Sequence, residues 1–307
     1  MPRIHINNLY WEAAQQLSRR KIVLVCLGII AIYMLVALLG IFGLLPDYQT
    51  RVSTGYEAPA LEFAKLLGTD IFGRSVLYKI LAGTKTAMLI GVLVTSISVP
   101  TGVILGALAG YYGGIVDIGV VWLYTVISSV PYILMVIAIS YVIGKGLVAI
   151  CLAMGFLGWV GLCRLIRSEV LKTRNLEYIA AARVIGANDA QIIFSHILPN
   201  VVHLAIISAS LQILGAIKSE VILTFLNVGI QDGSSWGSMI ADATGELVQG
   251  IWWPLAGVVL AMFLIIYALN VVSDALRDAL DPKLRGSTEM AADNAQFEVK
   301  ETAVQKA

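Results

Sequence analysis

The longest constraint in this chain is a run of 24 apolar residues, Ile22 to Leu45, preceded by Arg19-Arg20-Lys21 and closed by Pro46. A helix needs about 20 apolar residues to cross a hydrocarbon core of about 30 Å. A secretory signal carries an apolar region of only about 7–15 residues and a small-residue cleavage site. The run exceeds that length and ends in proline, so it reads as a retained span. In lipid every backbone N–H and C=O must be satisfied within the protein, which leaves helices and closed barrels. An unbroken apolar run of this length selects the helix.

Five more runs follow, at about Thr86–Tyr112, Ile115–Ile143, Leu147–Cys163, Val201–Val228 and Ile251–Val272. Composition agrees: 13% of the 307 residues are charged and 58% are hydrophobic, against about 25% charged in a soluble domain. So few charges cannot cover a water-facing surface, and disorder is excluded for most of the length. A net charge of +1 excludes a basic nucleic-acid-binding face. Cys26, Cys151 and Cys163 lie in apolar runs without CxxC or Cys/His spacing, so they predict neither a disulfide framework nor a metal site.

The predicted organisation is an N-terminal segment 1–21, a first transmembrane helix 22–45, an external loop 46–85, a five-helix core 86–272 and a C-terminal segment 273–307 ending in a disordered tail. Lys and Arg outside the spans set the orientation. Arg3, Arg19, Arg20, Lys21, Arg164, Arg167, Lys172, Arg174, Arg183, Arg277, Lys283 and Arg285 fall on one side, and Arg51, Lys65, Arg74, Lys79, Lys85 and Lys145 on the other. Twelve against six puts both termini in the cytoplasm. Gly102, Gly106 and Gly110 recur every four residues on one face of the second span, a surface on which another helix can pack closely. Pro100 and Pro131 sit inside spans, where neighbours must satisfy the carbonyls they free.

The segment Arg164–Asn200 is a charged cytoplasmic loop with helical composition. Within it Ala180, Ala181 and Ala182 form a small, helix-favouring surface. Gly186 and Asn188 suit positive φ and a helix end. Asp189 is the expected cap of a second short helix carrying Ile192, Ile193 and Ile197. Pro199 limits helix continuity before the membrane is re-entered. A small-residue knob on a sharply bounded helix suits docking into a partner's groove.

Ala181-Ala182-x-x-x-Gly186, nine residues, then His196-Ile197-Leu198-Pro199 resembles the coupling loop of permease subunits in binding-protein-dependent ABC importers; Ala180 replaces its usual Glu and His196 its usual Ile. Gly68-Thr69-Asp70-x-x-Gly73-Arg74 resembles the LGTDxxGRD signature of the dipeptide, oligopeptide and nickel permeases, with Ser75 in place of the final Asp. Ala109–Gly114, Trp236-Gly237, Glu220–Gly229 and Asp274–Pro282 are similar to further family segments, in order.

The resemblance implies an all-α integral membrane protein, a six-span ABC importer permease bundle of the type I, MetI-like class, and specifically the second, C-type permease subunit. It implies a multi-pass subunit of the bacterial cytoplasmic membrane that takes up di- or oligopeptides, with nickel chelates or another small solute as the alternative. Implied partners are a second homologous permease in a heterodimer, two ATP-binding subunits, an extracytoplasmic solute-binding protein and membrane lipid. ATP and Mg would be bound by those ATPases, with no cofactor on this chain. Ala180, Ala181, Ala182, Gly186, Ala187, His196, Ile197, Leu198 and Pro199 would form the ATPase-coupling loop.

The chain has no GxxxxGK[ST] phosphate loop, so it is expected not to be the ATPase. Gly233-Ser234-Ser235-Trp236-Gly237 fits the GxSxG nucleophile pattern, which suggests an intramembrane serine hydrolase with His203 as base. That pattern needs a strand–turn–helix context. Here it lies in a Gly-rich external loop, most of a bilayer from His203, and no catalytic residue is assigned. Lys218 and Glu220 are opposite charges in the fifth span, near its outer boundary. Such groups are costly in lipid. Lys218 is expected to snorkel to the headgroups, and Glu220 to face the pore's outer gate or the partner permease.

Overall fold

The computed structural model describes residues 15, 17, 20–144, 146–230 and 233–280. The described residues are mainly helical, and Ile22, Val25, Ile32 and Leu35 on the first helix leave large apolar side chains exposed. An apolar outer surface of this extent belongs in lipid. Five helices are long and apolar enough to cross a membrane, and a sixth candidate span is a bent pair.

Helix α1 spans Lys21–Ile41. It ends four residues before the predicted Leu45, because Gly43 takes φ +71° and turns the chain towards Pro46. Helix α2 spans Val76–Tyr112, starting ten residues before the predicted Thr86. Ser75 caps it, accepting from the Tyr78 N–H at 3.3 Å. Its charged first turns are admissible since Lys79 is paired rather than exposed to lipid.

The expected third span is two helices, α3 (Gly114–Ser128) and α4 (Tyr132–Ile143), bent by 90° at Ser129–Pro131. Pro131 cannot donate to the preceding turn, and its ring disfavours the α region at Val130. Helix α5 spans Leu147–Thr173, so the first ten residues of the predicted loop continue the fourth span. Their apolar positions Ile166 and Val170 are fully buried and keep the helical period going beyond the lipid-like stretch.

Two short helices follow, α6 (Glu177–Val184) and α7 (Asp189–Ile192). Gly186 takes φ +96° between them. Asn188, not Asp189, caps α7: its φ is −77° and its Oδ1 accepts from the Gln191 N–H at 2.8 Å. The chain then passes through a π turn, Ile193–Ile197, into α8 (Leu198–Phe225). Pro199 therefore does not separate loop from span, since the wider turn accommodates the missing donor and helical structure runs from Asp189 to Phe225. The Gly/Ser-rich external loop contains α9 (Trp236–Val248), and α10 spans Trp253–Leu280. The predicted polar segment thus begins as the last turns of α10, while the tail 281–307 lies outside the described residues.

Helices α2 and α5 form the centre. A Cβ on Gly102 would lie 2.9 Å from the Trp159 carbonyl oxygen, one on Gly106 2.7 Å from that of Cys163, and one on Gly110 2.9 Å from that of Arg167. Side chains at these positions would push the two helices apart. At one end a core joins α1, α2, α8, α9 and α10 around Trp236. At the other, α6, α7 and the π turn pack on the ends of α2 and α5 through Ile179, Ile192 and Ile197.

Candidate functional site

Three places carry functional chemistry: the α6–α7 segment, the α9 end, and a cavity between them.

In the α6–α7 segment the buried residues are Ile179, Ile192, Ile193 and Ile197, which seat the segment against α2 and α5. Ala180, Ala181 and Gly186 are exposed, Ala182, Ala187, His196, Leu198 and Pro199 half-buried. Beside them Val184 is 89% exposed, Ile185 87% and Phe194 70%. The base is held by polar contacts. Tyr111 Oη donates to Asp189 Oδ1 at 2.6 Å, and the Arg183 guanidinium lies 5.6 Å from the centre of the Tyr111 ring. Arg174 donates to the Gly110 and Tyr111 carbonyls at 2.8 and 3.2 Å, covering the end of α2. Arg167 forks onto the Asp117 carboxylate and ties α5 to α3. Asn200 bonds the Tyr178 hydroxyl and the His196 carbonyl, both at 2.8 Å, so the π turn is tied back to α6.

At the α9 end, Gly68, Thr69, Asp70, Gly73 and Arg74 form a compact turn rather than an open loop. Asp70 Oδ1 accepts from the Phe72 and Arg74 N–H groups at 2.9 Å, and Oδ2 from Lys79 Nζ at 3.1 Å. Trp253 Nε1 donates to the Thr69 carbonyl at 3.1 Å, which fastens the turn to α10. Gly68 and Gly73 have φ of +74° and +72°, and a Cβ at Gly68 would strike the Trp253 ring at 2.6 Å. Glu246 of α9 is buried nearby, and that burial raises its carboxyl above the ordinary range.

Ser235 is fully buried and forms a capping box with Ser238 at the start of α9. It offers no exposed nucleophile. Glu220 is also fully buried, so the expected placement at a gate or partner face is corrected: the side chain points into the subunit, against α9. Its Oε1 accepts from Thr224 Oγ1 at 3.0 Å, and Thr224 in turn accepts from the Ile230 N–H at 3.3 Å. Lys218, two residues earlier, is exposed on the opposite side of α8.

The cavity has a volume of about 600 Å³ and is walled by α5, α8 and the α3–α4 break. Ser128, Val130 and Pro131 line it from the break, Gly158 and Gly161 from α5, and Ser208, Gln212, Gly215 and Ser219 from α8. Gln212 Nε2 donates to the Gly158 carbonyl at 3.1 Å. Of these lining residues only Pro131 was singled out from the sequence. The available signal was the spacing of Ser208, Gln212, Gly215 and Ser219, which steps by 4, 3 and 4 and so puts small and polar groups on one face of an apolar helix.

Comparison with known proteins follows from this geometry. Residues 102–286 match the family described as binding-protein-dependent transport system inner membrane component. The dipeptide transport system permease protein DppC of Bacillus subtilis is 35% identical over 275 residues, 89% of this chain and 86% of that protein. The oligopeptide transport system permease protein OppC of Haemophilus influenzae is 37% identical, over 74% of this chain and 73% of that one. The glutathione transport system permease protein GsiD of Pectobacterium atrosepticum is 36% identical, over 72% and 74%. Among solved structures, the MetNI methionine ABC transporter in inward-facing conformations is 17% identical with a TM-score of 0.49, covering 67% of this chain and 94% of that chain.

Proposed function

Because the chain belongs to the binding-protein-dependent transport system inner membrane components, the non-enzymatic permease subunits of ABC importers, we propose that it forms half of the pore of a di- or oligopeptide importer in the bacterial cytoplasmic membrane. A second, homologous permease completes the pore as a heterodimer. Two ATP-binding subunits supply the energy, one of them docking on the α6–α7 segment of this chain, and an extracytoplasmic binding protein delivers the solute at the α9 end. Both termini and residues 164–200 are cytoplasmic.

The exposed α6–α7 surface carries this proposal. Val184, Ile185 and Phe194 are large apolar residues left in the open beside the small Ala180 and Ala181, on a segment whose other face is buried and pinned to α2 by Tyr111–Asp189. An apolar patch on a firmly seated knob suits burial in a partner. The relatives' names supply the solute class: dipeptide, oligopeptide and glutathione.

Replacing Ala182 by Arg, or Gly186 by Pro, tests the docking role. Both variants should insert into the membrane and lose peptide uptake; a variant that assembles with the ATPases and transports normally contradicts it. A cysteine introduced at Asn188 should stay unmodified by an impermeant reagent added outside intact cells. Modification from outside would reverse the orientation.

A further inference from the structure

The cavity combines two features that are costly in lipid. Its wall includes Ser128, Val130 and Pro131 at the 90° break, where the helical ladder is interrupted, and hydroxyl and amide side chains inside an otherwise apolar helix. Irregular backbone at membrane depth is tolerated where it lines a cavity or is covered by protein, and polar side chains there face the same places. Among the described residues, the Ser208 and Ser219 hydroxyls have no hydrogen-bond partner in the protein, and Gln212 uses only one of its N–H groups. A wall of this kind is built to meet solute or water across the subunit boundary.

Among the described residues, the wall contains no Asp, Glu, Lys or Arg. At the rim Arg164 donates to Ser128 Oγ at 2.8 Å and holds its guanidinium 4.6 Å from the centre of the Tyr124 ring. Gly161 and Gly215 have nothing within 4 Å of where a Cβ would sit. That leaves open width where a solute's side chains would pass. About 600 Å³ on one subunit is within the range of cavities that enclose small organic ligands.

We propose that this cavity is the half-channel for the peptide, and that its uncharged wall offers Gln212, Ser208 and Ser219 to the peptide backbone while leaving side-chain charge unread. The proposal rests on the peptide-importer function above and adds where the solute runs and what the wall recognises. Neutral donors and acceptors match the amide groups common to every peptide, whereas a fixed charge in a site of low dielectric would sort peptides by their own charge.

The test gives the wall a charge. Gly215→Asp and Gly215→Lys, and separately Gly161→Asp and Gly161→Lys, place one at positions where a Cβ would meet nothing within 4 Å. The complete transporter, reconstituted with its ATPases and binding protein, is supplied with tripeptides that are neutral, acidic or basic at the central residue. Wild type should move the three at similar rates once each is saturating. The Asp variants should slow the acidic peptide about ten-fold relative to the basic one, and the Lys variants should reverse that order. Equal effects on all three peptides, or no effect, at both glycines in complexes that retain ATP hydrolysis would overturn the proposal. A wild-type complex that moves none of the peptides but does move another solute would instead overturn the peptide-importer function itself.

Discussion

The two ends of the bundle treat their polar groups differently. At the α9 end the polar groups are inside: Asp70, Thr69, Ser235, Glu220 and Glu246 are all buried, and Asp70, Thr69 and Ser235 accept from the backbone N–H groups of Phe72 and Arg74, of Glu57, and of Ser238. Trp236, fully buried, closes the apolar core beneath them. At the α6 end the polar groups work at the base while Val184, Ile185 and Phe194 face outwards. Both ends leave some apolar area exposed, Phe72 and Val248 at the first and Val184, Ile185 and Phe194 at the second. The difference is that the buried polar cluster belongs to the α9 end, and the proposed docking of the ATPases to the α6 end.

The contrast predicts that damage at the α9 end destroys the subunit, while damage at the α6 end spares the subunit and breaks the complex. The largest effect should come from Trp236→Ala, which empties a fully buried site and should cost about 3–5 kcal/mol of stability; thermal unfolding of the solubilised subunit measures it. Asp70→Ala should follow, at about 3 kcal/mol, because it leaves the largely buried Lys79 ammonium only the exposed Asp242 carboxylate at 3.9 Å and removes the acceptor of the Phe72 and Arg74 N–H groups. If either variant were as stable as wild type, the α9 end would not be held together by these buried residues.

Glu220 and Lys218 sharpen the same point within one helix. Glu220→Ala leaves the Thr224 hydroxyl without its buried acceptor and should cost about 1–3 kcal/mol. Lys218→Ala, at an exposed position, should stay within about 0.5 kcal/mol of wild type. Tyr111→Phe removes one hydrogen bond at the base of the α6–α7 segment and should cost about 1 kcal/mol, with faster proteolysis of residues 177–199 as its signature. The smallest stability effect, near zero, belongs to the double variant Val184→Ser and Ile185→Ser. That variant should nonetheless fail to retain the ATPases in co-purification.

Much of this arrangement was legible in the sequence, and the misplacements share physical causes. Hydropathy marks where lipid ends and not where a helix ends. Helix α5 therefore ran on past Cys163, because Ile166 and Val170 keep facing the glycines of α2. The same lag hid the first turns of α2, where Lys79 looks like loop until Asp70 is seen to pair with it. The glycine period at 102, 106 and 110 was visible because nothing but close approach needs it, and the structure sets each glycine against α5. Pro131 was visible as a proline inside an apolar run, but a 90° bend depends on what the neighbouring helices leave room for.

Glu220 was misplaced for a different reason. Helix α9 starts from a Ser–Ser capping box rather than the Ser–x–x–Glu pattern, so Gly233–Gln249 read as a loop. Without α9, nothing in the sequence could cover Glu220. The cavity escaped notice because Ser208, Gln212, Gly215 and Ser219 are dispersed among Leu and Ile, and only the helical period unites them.

Cross-linking tests the central assignment, that the exposed α6–α7 surface is where the ATPases dock. Ile185→Cys and Phe72→Cys would be introduced separately, one at each end, and treated in native membranes with a short bifunctional thiol reagent. Ile185 is 87% exposed and Phe72 57%, so both are accessible to it. The account predicts a covalent product with an ATP-binding subunit from residue 185, changed in yield by trapping the ATPases in the nucleotide-bound state, and none from residue 72. An ATPase product from residue 72, with none from 185, would contradict it.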